Sequence, residues 1–303
     1  MDKIVLRKLL DVAQGSAPAD TVIRNGRLVN VFTDSIEDNV LITIKDGRVV
    51  SIEKEGDRSS FAGVTEIDAK GAYLCPGFMD AHTHLDNMFP FHEFVPFSVR
   101  GGTTTVITEC GMVAGACGMK GAECFVESTK GYPLRCYFVA PPMTPPFPKM
   151  ERAAAFTFKE FSTLLKREDF LGIGEAYWTR MVDGDKRLLQ QAALAQSLGK
   201  CLDGHSSGAR SKRLTEYMLT GITSCHESVT TDEALEKLRL GMYVMIREGF
   251  VRKELPELSN LKDAKVDKRR IMMVSDTFDA SMLWEEGYMN SVVKKAIQYG
   301  RRS

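Results

Sequence analysis

The sequence lacks the long apolar run that marks a membrane helix: none of its 303 residues lies in a stretch approaching the roughly 18 apolar residues such a span needs. It also lacks net charge. Forty Lys and Arg offset forty Asp and Glu, which excludes a domain held to nucleic acid by an excess of basic charge. No CxxC pair occurs, and the seven Cys are scattered and odd in number. That excludes a disulfide framework and leads us to expect free thiols in a reducing cytoplasm. Internal repeats and low-complexity tails are absent as well. No secretory leader is expected, because Arg7, Lys8 and Asp11 interrupt the apolar residues of the N-terminal segment. What remains is an ordinary globular composition, 44% hydrophobic and 26% charged, with a length that fits one large domain or two of usual size.

From Thr21 to about Leu74 the pattern is that of strands. TVIRNGRLVNVF contains alternating apolar positions, and NVLITIKDGRVVSI reads as a hairpin turning at Asp46-Gly47 between two β-branched runs. Residues 1–74 are therefore expected to form a small β unit, part of a composite β-sandwich, and residues 75–303 a second domain. From Cys75 short apolar runs alternate with amphipathic segments. The runs end at or near His84, Glu109, Ala140, Glu175, His205, Glu227, Glu248 and Asp276. Helix-like stretches such as FTFKEFSTLLKRED, DKRLLQQAALAQSLG and TTDEALEKLRLG lie between them, the last opening on Thr230 with acidic residues in its first turn. Eight strand–helix units predict an α/β fold, a (β/α)8 barrel, with a doubly wound open sheet as the alternative. The segment 140–153 holds five of the eleven Pro and is expected to be a rigid extended loop.

In such a barrel the C-terminal strand ends converge on one face, where active sites sit. Seven of the eight run ends carry a His, Asp or Glu at or beside them. The sharpest piece is Asp80-Ala81-His82-Thr83-His84. Strand positions two apart face the same side, so His82 and His84 can grip one ion. Only five His are present, and four of them (His82, His84, His205 and His226) lie at run ends, whereas His92 falls in a helical stretch. Neutral imidazole suits divalent Zn, Mn and Fe. Glu175 is expected to bridge two ions, with His82 and His84 on one and His205 and His226 on the other. Asp276 is expected to bind metal and to take a proton from a metal-bound water. The plainer alternatives are a helix N-terminal acid or ion-pair partner for Glu175 and an N-cap for Asp276. Glu227 either lies just past its strand, where it reaches substrate as a second catalytic group, or is structural. Arg247 and Glu248 are expected to pair with each other at the barrel mouth, with substrate binding as the alternative; Asp203 is expected to orient a neighbour, with metal binding as the alternative, and Cys225 to face the helices. Cys110, Cys117, Cys124 and the fifteen Met are assigned no chemistry.

The stretch LCPGFMDAHTH behind a small β unit resembles the amidohydrolase superfamily of metal-dependent hydrolases. GIGEAYW, DGHSSG, SCHESVTTDEALEKLRLGMYVMIREG and SDTFD narrow the resemblance to the adenine deaminases, from about Ala19 to Gly300. The resemblance implies hydrolytic deamination of adenine, or a related aminopurine, to hypoxanthine and ammonia by a metal-activated hydroxide. It implies a divalent centre, binuclear manganese with iron or zinc as alternatives, and puts Glu175 where many relatives have a carboxylated lysine. The expected partner is a small purine substrate, with neither nucleic acid nor membrane; homo-oligomer formation stays open. Three departures stand out. A His-Glu pair after the second strand is replaced by Gly111-Met112. Two adjacent aspartates after the eighth become Asp276-Thr277. The chain stops at Ser303 where adenine deaminases continue, so a fragment, a truncated product or a short homologue is expected, with N-terminal strands exposing edges. These departures keep two further readings open: cleavage of a cyclic amide or other C–N bond on the same scaffold, and an inactive truncated homologue.

Overall fold

The computed structural model describes residues 2–54, 56, 62–87, 89–144, 150 and 156–300. The chain divides into two compact units, Met1–Pro76 and Gly77–Ser303.

The first unit contains helix α1 (Lys3–Ala13) and strands β1 (Ala19–Asn30), β2 (Ser35–Lys45), β3 (Arg48–Lys54), β4 (Gly63–Asp68) and β5 (Tyr73–Leu74). The sheet order is β3-β2-β1-β4, with β5 also pairing β1. The β2–β3 hairpin turns where expected. Asp46 and Gly47 both take positive φ, 48° and 68°, the backbone that a two-residue hairpin loop requires. Helix α1 was not anticipated. The charges that argue against a leader form its polar side, with Arg7 and Asp11 paired at 2.9 Å one turn apart. Val12 buries against Ala19, Val22 and Leu41. Among the described residues β3 and β4 are paired along one side only, so the expected edges are present.

The second unit is a (β/α)8 barrel. Its strands are β6 (Phe78–Thr83), β7 (Thr103–Glu109), β8 (Arg135–Ala140), β9 (Phe170–Tyr177), β10 (Cys201–His205), β11 (Ser224–Cys225), β12 (Tyr243–Arg247) and β13 (Ile271–Val274). Spatial order follows chain order, and every neighbouring pair is parallel. Parallel neighbours need crossovers, which helices supply. These are α2 (Phe91–Arg100), α3 (Gly111–Ser128), α4 (Phe158–Leu165), α5 (Trp178–Val182), α6 (Lys186–Ser197), α7 (Ser211–Met218), α8 (Thr231–Arg239) and α9 (Leu255–Leu258), with α10 (Ala280–Glu285) and α11 (Met289–Gly300) after β13. Local signals explain several starts. Thr157 and Glu160 form a capping box on α4, and Thr230 caps α8 by accepting from the Glu233 amide. Helix α3 escaped the sequence pattern because its glycines weaken helix propensity; it kinks at Gly118 and is held by buried Ala114, Ala122 and Val126. Of the proline-rich segment, residues 145–149 and 151–153 lie outside the described residues.

The ring closes at the functional end. A parallel bridge joins Thr83 to Asp276. The His84 amide donates to the Asp276 carbonyl and the Asp276 amide to the His82 carbonyl, each at 3.1 Å. Beneath this seam Asp80 is fully buried and accepts from Tyr288 Oη at 2.5 Å and from the Ser275 amide at 3.2 Å. Phe94 packs on Phe278 and Tyr288 with ring centroids 5.0 and 4.9 Å apart. Such pairs contribute about 0.5–1.5 kcal/mol each beyond their buried area. The seam is thus fixed from behind.

Candidate active site

His82 and His84 leave the end of β6 on the same side, as the spacing predicted. Glu175 lies inside β9, His205 ends β10, and His226 follows β11. The carboxylate oxygen Oε1 of Glu175 sits at the centre. It is 3.0 Å from His226 Nε2, 3.4 Å from His82 Nε2, 3.5 Å from His205 Nδ1 and 3.6 Å from His84 Nε2. Asp276 Oδ1 lies 3.4 Å from His84 Nε2 and 3.7 Å from His82 Nε2. Donor atoms of His82, His84, Glu175 and Asp276 fall within 4.8 Å of one another, and so do those of Glu175, His205 and His226. Glu175 belongs to both groups.

These residues fit one or two divalent cations. His82 Nε2, His205 Nδ1 and both ring nitrogens of His226 are buried without a hydrogen-bond partner. A buried polar atom normally finds one, and a neutral imidazole nitrogen aimed at carboxylates is a metal donor. Electrostatics agree. Burial opposes charge on His84, yet Asp276 and Glu175 outweigh it and push its pKa up to about 10. Burial likewise disfavours ionised Glu175, but the surrounding imidazoles hold it well below the usual carboxylate range. The carboxylates demand positive charge at their centre.

Asp276 occupies a constrained position. Its φ of 60° lies in the left-handed region, which Asp tolerates better than most residues. It does not cap the next helix, since Asp279 does that by accepting from the Met282 amide. The helix alternative for Glu175 fails as well, because Glu175 is a strand residue. Asp203 orients a neighbour: its Oδ2 is 3.0 Å from His82 Nδ1, while Oδ1 accepts from Ser224 Oγ at 2.8 Å and from the Gly204 amide at 2.9 Å. Cys225 is buried in the cluster that includes Tyr217 and Ile222, with Sγ 2.9 Å from Ser206 Oγ. Tyr217 Oη donates to the Ala176 carbonyl and accepts from the His205 amide, tying β9 to β10 beside the site. His92 is exposed on α2, beside Glu93.

The Arg247–Glu248 expectation needs correction. Arg247 is buried and turns toward the site, contacting Glu227 Oε1, both oxygens of Glu254 at 3.1 and 3.0 Å, and Asp276 Oδ2 at 3.5 Å. Glu248 instead receives Lys295 of α11 at 3.2 Å. Strand neighbours point to opposite faces, so one of the two had to turn away. Glu227 lies two residues past the end of β11, with Oε1 3.5 Å from His226 Nε2 and 3.9 Å from His205 Nδ1. It is within reach of the histidines and held by Arg247.

Beside His84 and Glu175 opens a cavity of about 180 Å3, lined also by Glu109, Gly111, Met143 and Tyr177. Glu109 ends β7, and the sequence reading gave it no role. Its Oε1 accepts from the Glu175 amide at 2.5 Å. Gly174 makes room for it, because a Cβ there would overlap the Glu109 carboxyl. The GIG stretch before Glu175 carried that signal, since a glycine inside a strand marks close approach of another group.

Comparison with known proteins follows the same line. Over 98% of its length the chain is 38% identical to an adenine deaminase of Moorella thermoacetica. Over 97% it is 34% identical to one of Archaeoglobus fulgidus and 33% to one of Halalkalibacterium halodurans. The chain is similar to adenine deaminases over nearly all its own length. It spans about half the length of these curated relatives, 50%, 51% and 50%. No family model matches. Among solved structures, molinate hydrolase superposes with a TM-score of 0.63 at 13% identity, covering 93% of this chain and 81% of that one. A Xaa-Pro dipeptidase gives 0.58 at 15% over 92% and 86%, and an amidohydrolase 0.55 at 16% over 86% and 79%. At these identities the likeness is one of fold.

Proposed function

We propose that the chain is a metal-dependent aminohydrolase that converts adenine, or a related aminopurine, to hypoxanthine and ammonia. The observation that carries this reading is the placement of four imidazoles within 3.6 Å of one oxygen of Glu175, in a chain similar to adenine deaminases over nearly all its length. In this reading His82, His84 and Asp276 would hold one ion and His205 and His226 the other, with Glu175 available to both. Manganese is the expected pair, with iron or zinc as substitutes. When bound, such ions supply Lewis acidity at neutral pH.

The chain's own residues do the rest. Asp276, ionised and held with a pKa of about 2 against the opposing effect of burial, chiefly by His84, accepts a proton from the water that adds to the amino-bearing ring carbon. It returns that proton to the amino nitrogen as the C–N bond breaks. Glu227, fixed by Arg247, is the second catalytic candidate. Asp203 selects the His82 tautomer that leaves Nε2 free for metal. Residues 1–74 are read as one part of a composite β-sandwich and 75–303 as the catalytic barrel, acting in the cytoplasm on a purine. Cleavage of a cyclic amide is the second reading, favoured by Gly111 and Met112 at the cavity wall.

The test is to purify the chain with manganese and measure metal per chain alongside ammonia release from adenine. About two ions with ammonia release is the expected result. Bound metal without ammonia from adenine or other aminopurines, and ring opening of a cyclic amide, would replace it with the second reading. A chain with neither metal nor activity would make the inactive homologue the answer.

A further inference from the structure

We propose that Glu109 reads the ring edge of a bound 6-oxopurine product or of a cyclic amide: Oε1 braces the main chain of Glu175 while Oε2 accepts the ring N–H in the adjoining cavity. The proposal rests on the hydrolase reading above and deepens it by naming the edge of the ring that is recognised.

Three observations place this role on Glu109. It is only 7% exposed, yet it lines the cavity together with His84 and Glu175. Its two oxygens are separated in function. Oε1 is committed to the Glu175 amide at 2.5 Å. Oε2 lies on the Gly111 side, 3.4 Å from where a Cβ on Gly111 would stand. The space around it is built for the group: Gly174 leaves room for the carboxyl, and Gly111, with no side chain, leaves Oε2 open toward the cavity. The remaining wall is largely apolar, with Pro141, Pro142, Met143 and Tyr177, which suits the faces of an aromatic ring. A pocket of this type takes its selectivity from the few polar groups it contains. Because Glu109 touches the residue that lies between the two proposed ion sites, the ring edge it holds is the one beside the reacting carbon. In a 6-oxopurine product that edge is the N1–H. The same carboxylate suits the N–H of a cyclic amide.

The experiment uses the manganese-loaded chain and equilibrium binding of hypoxanthine, 1-methylhypoxanthine and 7-methylhypoxanthine. Wild type is expected to prefer hypoxanthine over the 1-methyl compound. Glu109→Gln keeps an acceptor for the Glu175 amide but presents an NH2 where Oε2 was, so donor meets donor. It should retain wild-type metal content and thermal transition, weaken hypoxanthine by about 10- to 100-fold, and abolish the preference against 1-methylhypoxanthine. Gly111→Ala provides a second route, since its methyl group narrows access to Oε2 without touching Oε1. It should weaken hypoxanthine with metal content unchanged. Should Glu109→Gln keep both its metal and wild-type hypoxanthine affinity, or should Gly111→Ala bind hypoxanthine normally in a chain where Glu109→Gln has lost its metal, Glu109 is a brace alone and the proposal is overturned. If wild type holds metal but ignores hypoxanthine, the deaminase reading has failed. The same variants are then titrated with dihydrouracil, and equal binding by wild type and Glu109→Gln again overturns the role.

Discussion

On the side of the barrel mouth formed by β6, β9, β10, β11 and β13, the side chains of His82, His84, Glu175, His205, His226 and Asp276 answer one another within 3.7 Å. The side formed by β7 and β8 presents Gly111, Met112, Pro141, Pro142 and Met143 around a single buried carboxylate, Glu109. The first side is crowded, charged and braced from behind. The second is open, apolar and sparsely polar. The proposed chemistry and the proposed recognition thus fall on neighbouring strands. On the proposed reading the first side carries the reaction, whereas the cavity side selects the ring. Gly111 and Met112, which stand where adenine deaminases carry a His-Glu pair, fall wholly on the second side, apart from the proposed ligand set.

The division can be broken most forcefully at Asp276. Asp276→Asn keeps the shape of the side chain but removes the proton acceptor. It should lower kcat by about 10²- to 10⁴-fold while at least one ion per chain remains, measured by ammonia release and metal analysis. Retained activity would remove Asp276 from the chemistry. Arg247→Met comes next. Arg247 faces three carboxylates, Glu227, Glu254 and Asp276, and is itself 3% exposed. Removing it leaves buried negative charge uncompensated, a defect that costs about 3–5 kcal/mol. Urea denaturation should show that loss, and Arg247→Lys should recover part of it. An unchanged midpoint would mean that the guanidinium is not what holds Glu227 and Asp276.

Much of the ligand side was legible in the sequence because its signal is local. His82 and His84 stand two apart at a strand end, and each remaining candidate ligand sits at or near the end of an apolar run, where topology gathers it. The barrel followed from eight repeats of the same pattern. What escaped depends on contacts across the fold. Arg247 pairs with Glu227, 20 positions away in sequence, and not with its neighbour Glu248. Glu109 meets the Glu175 amide 66 residues on. Asp80 joins Tyr288 across 208 residues. Periodicity carries no information about such pairs. Helix α1 was missed for another reason, since its charges were read only as breaks in an apolar run rather than as the polar face of a helix.

The smallest expected effect separates the two sides most cleanly. Asp203 does not reach the centre; its Oδ2 stands 3.0 Å from His82 Nδ1, while its other oxygen is held by Ser224 and Gly204. A carboxylate there accepts the Nδ1 proton, which leaves the Nε2 lone pair for an ion. Asn keeps the volume and one acceptor but loses the charge that favours this tautomer. Asp203→Asn should therefore weaken metal binding by about 10- to 100-fold and leave the fold intact, as read by competition with a chelating dye. Met112→Ala is the control from the cavity side. Met112 is 62% exposed, so metal affinity should not move. If Met112→Ala weakened metal as much as Asp203→Asn, the two sides would be one coupled site, and the substrate could no longer be argued from the cavity alone.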